Sequence, residues 1–451
     1  MLLFAHGIVG RADLPIPETL FGAAAAAVLV VSFLALGAGW SKPRLETIRE
    51  RSLFRLPLAV DIVLGAVGVV AFAVTVYAGL AGTSSQQDNL TPTAVFVAFW
   101  VGVPFVSLLF GDVWRLLSPW RAVGRLVGWT ASKVSGGMPE PLEYPARLGN
   151  WPVVVGIVGF VICELCWATG REPLPLAIMM VVYALAQGLG MSLYGVEAWT
   201  RRGDAFGVWF GLISLLAPIG RRPDGRLVLR PPVAGATRMP VLAGTVALLI
   251  CGIASTGFDG AKEGPLFASL AQDIQDGFFS IGIAKGLGLE LAFVVGLAIA
   301  ISLVGGLWRA GVEGMPRTGL ELDRAGVSRR FGHALVPIAA GYLVAHYFSL
   351  LAYNGQDVWR LASDPLGRGS DLFGGAGAAI DYGVVSATAI WYVQVLALVG
   401  GHVAALVLAH DQALVTYGSA KAAARSQVVM LVLMVCFTCL GLWLLSAALN
   451  T

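Results

Sequence analysis

A chain of 451 residues with 57% hydrophobic and only 13% charged residues, and a mean hydropathy of +0.78, is not built as a soluble globular protein. Such proteins carry about 25% charged residues. The net charge of +3 does not mark a nucleic-acid partner, because the basic residues sit in loops flanking apolar runs. Those runs, each about 20 residues long, fit the hydrocarbon core of a bilayer. The expected fold class is an all-α polytopic transmembrane helix bundle, a single domain over 1–451 with the lipid bilayer as its partner.

About ten spans are predicted, at 19–40, 57–81, 93–117, 151–170, 174–197, 240–257, 286–308, 331–353, 384–410 and 427–448. Residues 1–10 lack a basic start and carry too short an apolar run for a cleavable signal, so 22–40 is expected to stay as an anchor. The loops 41–56, 115–150, 198–239, 309–332 and 411–426 hold 24 of the 30 basic residues. Basic loops stay in the cytoplasm, which places both termini on the outer side. Arg11, Arg171, Lys262, Lys285, Arg360 and Arg368 fall on that outer side.

The apolar stretch 206–219 is too short to span and is flanked by Arg201–Arg202 and Arg221–Arg222. It reads as an interfacial or re-entrant helix. Asp224-Gly225 then signals a turn before a short strand, and 265–279 reads as an outer surface helix. Five spans on each side of the 201–239 loop give halves, 1–200 and 240–451, of opposite orientation. Some transporters are built that way.

Ionisable side chains at bilayer depth face a bundle interior or a wet cavity. Four of the five histidines, His333, His346, His402 and His410, lie on two apolar runs joined by the polar loop 354–382, with Asp357, Asp364, Asp371 and Asp381. At about 1.5 Å of rise per residue, Glu164, His346 and Gln394 lie about 9, 10 and 15 Å below the outer helix ends. Glu290 and Tyr77 come at about 6 Å, and Asp259 is expected at the outer surface after its helix. A carboxylate, an imidazole and an amide in one layer suit metal binding, proton relay or capture of a polar ligand. Equally, such groups serve as interhelical hydrogen-bonding glue. The expected site joins Glu164, His346 and Gln394 under the 354–382 loop, with Asp259 and Glu290 at the rim.

His402 is placed nearer the inner side, and His410-Asp411 at a helix C-terminus reads as an interface pair favoured by the helix dipole. A bis-histidine haem needs two imidazoles at one depth; His346 and His402 differ by about 10 Å or more, so haem is disfavoured. Cys163/Cys166 and Cys436/Cys439 lie on apolar helices, where cysteine packs as a small hydrophobe. In GDVWRLLSPWRAVGRL, Trp114, Trp120, Arg115 and Arg121 fit a headgroup-level anchor. No P-loop, GxSxG, HExxH or dinucleotide fingerprint is present.

Several stretches carry a family likeness: FAHGIVGRADLPIP, SPWRA, STGFDG, GHALVPIAAGYLVAHYFSLLAYNGQ, SDPLGRGSDLFG, WYVQV, GGHVAALVLAHD and LGLWLLS. On these the chain resembles actinobacterial multi-pass membrane proteins labelled fenitrothion hydrolase. The resemblance implies a bacterial plasma-membrane location and hydrolysis of an apolar organophosphate triester, a small molecule that partitions into the bilayer. It carries over no catalytic residues. Triester hydrolysis commonly uses a divalent metal to activate water. His6, Glu164, Asp259, Glu290, His346, Asp364, Asp371 and Asp381 are the outer-side ligand types, with His346 and Glu164 the expected metal pair and Gln394 the group to hydrogen-bond the phosphoryl oxygen. The rival classes are a transporter or channel for a small polar solute or ion, and a non-catalytic assembly or redox-partner protein. No protein partner is identifiable.

Overall fold

A computed structural model describes residues 18–447 apart from 46, 135–136, 138, 223 and 317–321. His6 and the N-terminal FAHGIVGRADLPIP stretch lie outside the described residues. The principal helices in chain order are α1 (Glu18–Gly39), α2 (Leu58–Ala81), α3 (Leu90–Phe110) and α4 (Pro119–Val134). Then come α5 (Trp151–Leu165), α6 (Pro173–Tyr194), α7 (Ala205–Ser214) and α8 (Thr245–Ala261). Next are α9 (Pro265–Ser280), α10 (Lys285–Glu313), α11 (Leu335–Asn354) and α12 (Asp357–Ser363). The chain closes with α13 (Ala387–Tyr417) and α14 (Val428–Ala447).

Among the described residues, seven helices are long and apolar enough to cross a membrane, or eight if the bent pair 420–426 and 428–441 is one span. All ten expected spans coincide with helices. The remaining two are α5 and α8, apolar but only 15 and 17 residues long. The protein is therefore an all-α polytopic membrane protein. Lipid-facing and core-facing side chains are both apolar in such a bundle, and small residues set how closely helices approach. Gly341 and Gly401 do this between α11 and α13. A Cβ on Gly341 would meet the Ala397 carbonyl at 2.7 Å, and one on Gly401 the Pro337 carbonyl at 2.5 Å. Inside α3, Thr93–Gly102 is wound as a π-helix and packs on α11. Such windings are frequent at functional sites.

α7 is not a surface helix. Ala205, Phe206, Trp209, Phe210, Leu212 and Ile213 are all buried, and Trp209 rests on Gly252 of α8, where a Cβ would come within 2.2 Å of the indole. Its ten residues rise about 15 Å, half the hydrocarbon thickness. Of the two readings of this stretch, re-entrant fits and interfacial does not. The turn at Asp224-Gly225 joins β2 (Ile219–Arg221) to β3 (Arg226–Leu229), with Gly225 at φ 86°. β1 (Arg51–Arg55), hidden in the 41–56 loop, adds to β3 antiparallel, giving the order β1-β3-β2.

The basic loops gather. Glu50 pairs with Arg222, Arg230 and Arg238, and Arg115 with Glu197 at 2.8 Å. In the SPWRA motif, Arg121 bridges Asp61 (3.2 Å) and Glu197 (3.1 Å). At the opposite ends, Arg368 reaches the Ala81 carbonyl and Arg360 the Gln87 carbonyl. A C-terminal tag should accordingly be reached by an impermeant label from outside intact cells. A tag protected until the cells are opened would overturn the orientation expected from the basic loops.

Candidate intramembrane acid–base site

α8 does not stop before Phe258-Asp259-Gly260 as expected; it runs to Ala261, so Asp259 is inside a helix and 3% exposed rather than at the surface. The helical continuation turns the carboxylate into the bundle toward α11. His346 Nε2 donates to Asp259 Oδ2 at 2.9 Å and the Tyr347 hydroxyl donates to the same oxygen at 3.0 Å. Lys262, one turn on, sets its ammonium 3.0 Å from Asp259 Oδ1. Adjacent residues on α11 face adjacent directions, and both 346 and 347 reach Asp259. Gly260 lies beside the ring: a Cβ there would stand 3.6 Å from His346 Cε1, in ordinary van der Waals contact.

Glu164, in the last turn of α5, is buried beside this group. It interacts electrostatically with Asp259, Arg171 and Lys262, yet it accepts no hydrogen bond from any described residue. The chain then folds back: Gly170 lies against the Cys163 carbonyl, where a Cβ would come within 2.0 Å. The half-buried Glu290 of α10 fastens that turn by accepting the Ala168 N–H at 3.0 Å.

Of the expected site residues, the structure thus brings together His346 and Asp259 directly and Glu164 by charge, with Glu290 holding the adjoining turn. Gln394 is half-buried on α13 and makes no side-chain hydrogen bond among the described residues. Tyr77 is 60% exposed on the outside of the bundle and is not part of the layer. The 354–382 loop is joined to the α2–α3 connection through Thr83 N–H to Leu366 (2.9 Å) and Leu90 N–H to Pro365 (3.2 Å), and Leu361 of α12 packs against Ala78 and Leu90. Within it, slight burial raises the Asp364 carboxyl, but amides of Arg368 and Gly369 at 3.1 and 2.7 Å outweigh that and hold it below the usual range. Lys262 and Tyr347 are the members of this cluster missed in the sequence. The available signal was the i,i+3 spacing of Asp259 and Lys262, which makes neighbours on a helix.

The other histidines have separate tasks. His410 and Asp411 are not at a helix end, since α13 continues to Tyr417, and both are buried. His410 Nε2 donates to the Trp40 carbonyl at 3.0 Å. Asp411 accepts the Trp40 indole N–H (3.0 Å) and the Arg44 and Leu45 amides (2.7 and 3.2 Å), tying α1's end to α13. His333 bonds the Arg330 carbonyl at 3.0 Å. The five cysteines are free thiols. Among the described residues, no group of three or more His, Cys, Asp or Glu is placed to hold a metal ion. No protein-family model matches the chain, and neither does any curated protein or solved structure.

Proposed function

We propose that the protein is a proton-coupled membrane transporter for a small polar solute, with the coupling proton held at Glu164, Asp259 and His346. The observation that carries this reading is Glu164, a buried residue whose carboxyl accepts no hydrogen bond from any described residue, beside an Asp259 already engaged by three donors. A carboxylate without hydrogen bonds is costly at such depth, and a proton removes the cost. His346, bonded to Asp259, is the adjacent group able to pass a proton on, while Lys262 pairs with Asp259 and Arg171 acts on Glu164 from farther away. Fluorescent-dye measurement of proton entry into vesicles under a potassium diffusion potential tests this. Glu164→Gln is expected to bring flux down to the level of protein-free vesicles, and infrared difference spectra on a pH jump should lose one protonated-carboxyl band. Wild-type flux in that variant would sink the reading.

A second reading, metal-independent hydrolysis of an apolar triester, draws on the Asp259–His346 pair, since a carboxylate-oriented imidazole is a general base for water. It accords with the resemblance to fenitrothion hydrolase-labelled proteins. Under it, purified protein releases nitrophenol from fenitrothion and His346→Ala lowers the rate by about a hundredfold or more. Absence of release from the wild type would remove it.

A further inference from the structure

A second buried histidine points to a different site. His402 on α13 is 1% exposed. Its Nδ1 lies 2.8 Å from the Leu398 carbonyl one turn earlier. A carbonyl only accepts, so Nδ1 carries the proton and Nε2 is left as a bare lone pair. That Nε2 is buried and has no hydrogen-bond partner. His402 lines a cavity of about 50 Å³ between α8, α10, α11, α13 and α14. The cavity holds no acidic or basic side chain; its other chemically capable groups are the thioethers of Met315, Met430 and Met434. Met430 and Met434 stand one turn apart on α14, and the Met430 sulfur is seated on Gly311 of α10, where a Cβ would come within 2.8 Å. Tyr342 packs edge-on against the His402 ring at 6.0 Å between centroids.

Water does not explain this arrangement, because a buried water needs two to four polar partners and the lone pair is one. Divalent ions do not fit either. With neutral ligands and no carboxylate, a desolvated double charge is prohibitively costly. A soft, singly charged ion does fit, because imidazole nitrogen and thioether sulfur are the ligand types that select copper(I). Holding the distal ring nitrogen on a backbone carbonyl is also how metal-binding histidines are oriented.

We propose that His402, with Met315, Met430 and Met434, forms an intramembrane binding site for copper(I). The site is separate from the Asp259 cluster. Its test is anaerobic titration of the purified full chain in detergent with copper(I), against a chromophoric chelator as competitor. The wild type is expected to hold one copper(I) more than His402→Phe, which keeps an aromatic ring in the cavity. The packing-neutral double variant Met430→Leu/Met434→Leu is expected to bind that ion about tenfold or more weakly. The thiols are identical in all three proteins, so copper bound to cysteine cancels in the comparison. X-ray absorption of the His402-dependent copper should show both nitrogen and sulfur neighbours. Equal stoichiometry and affinity in wild type and His402→Phe, or a His402-dependent copper without sulfur neighbours, would overturn the proposal.

Discussion

Asp259→Asn is expected to cost about 3–5 kcal/mol of folding stability, the usual consequence of breaking a buried ion pair. The Lys262 side chain is only 10% exposed, so its ammonium loses its nearest carboxylate and keeps only Glu263 at 4.0 Å and the charge of Glu164. His346 and Tyr347 keep only a neutral amide oxygen in place of the charged acceptor they share, and the second acceptor oxygen is lost. Asp259→Asn/Lys262→Met removes the stranded charge and should recover up to about 3 kcal/mol of the loss, the size of coupling seen between contacting residues. Activity is expected to stay absent in both variants, because the carboxylate that holds His346 is gone from both. Unfolding midpoints in a denaturing-detergent titration check the stability half; the proton-flux or hydrolysis assay checks the other. An Asp259→Asn protein within about 0.5 kcal/mol of wild type, the ordinary range for surface substitutions, would show that the four side chains are not coupled as described.

Asp411→Ala is expected to free the end of α1. The substitution strands the Trp40 indole N–H and the amides of Arg44 and Leu45. Each buried donor left without a partner costs about 1–3 kcal/mol, discounted here because the donors are only partly buried, for a total near about 3 kcal/mol. Asp411→Asn keeps one acceptor oxygen and should fall between. Limited proteolysis of the 41–50 segment should accelerate in the same order. An Asp411→Ala protein with the wild-type midpoint and cleavage rate would mean that α1 is held by its apolar contacts with α13 and α14 alone.

The membrane architecture was legible in the sequence. Runs of about 20 apolar residues have no other stable use, and every expected span is a helix in the structure. The basic loops signalled which helix ends lie together, and Glu50 with its three arginines shows the grouping in atomic detail. Asp224-Gly225 announced its turn. What failed was rotation and depth. A helix apolar on all sides has no polar stripe to say which face meets lipid, so Tyr77 was assigned to an interior it does not face. Depth was counted from helix ends, and an end misplaced by about 2–4 residues moves a side chain by about 3–6 Å. A four-residue miss at the end of α8 set Asp259 at the surface, and a seven-residue miss at the end of α13 set His410 at a helix terminus. Only the packing of α8 against α5 and α11 decided that Asp259 is the centre of the polar cluster. Only the closeness permitted by Gly252, Gly341 and Gly401 decided which neighbours meet. The sequence by itself determined that the chain fills a membrane with helices, because water solvation forbids anything else for such runs. Tertiary structure alone decided which few polar groups share the interior, because that depends on helix rotation, which an all-apolar pattern does not encode.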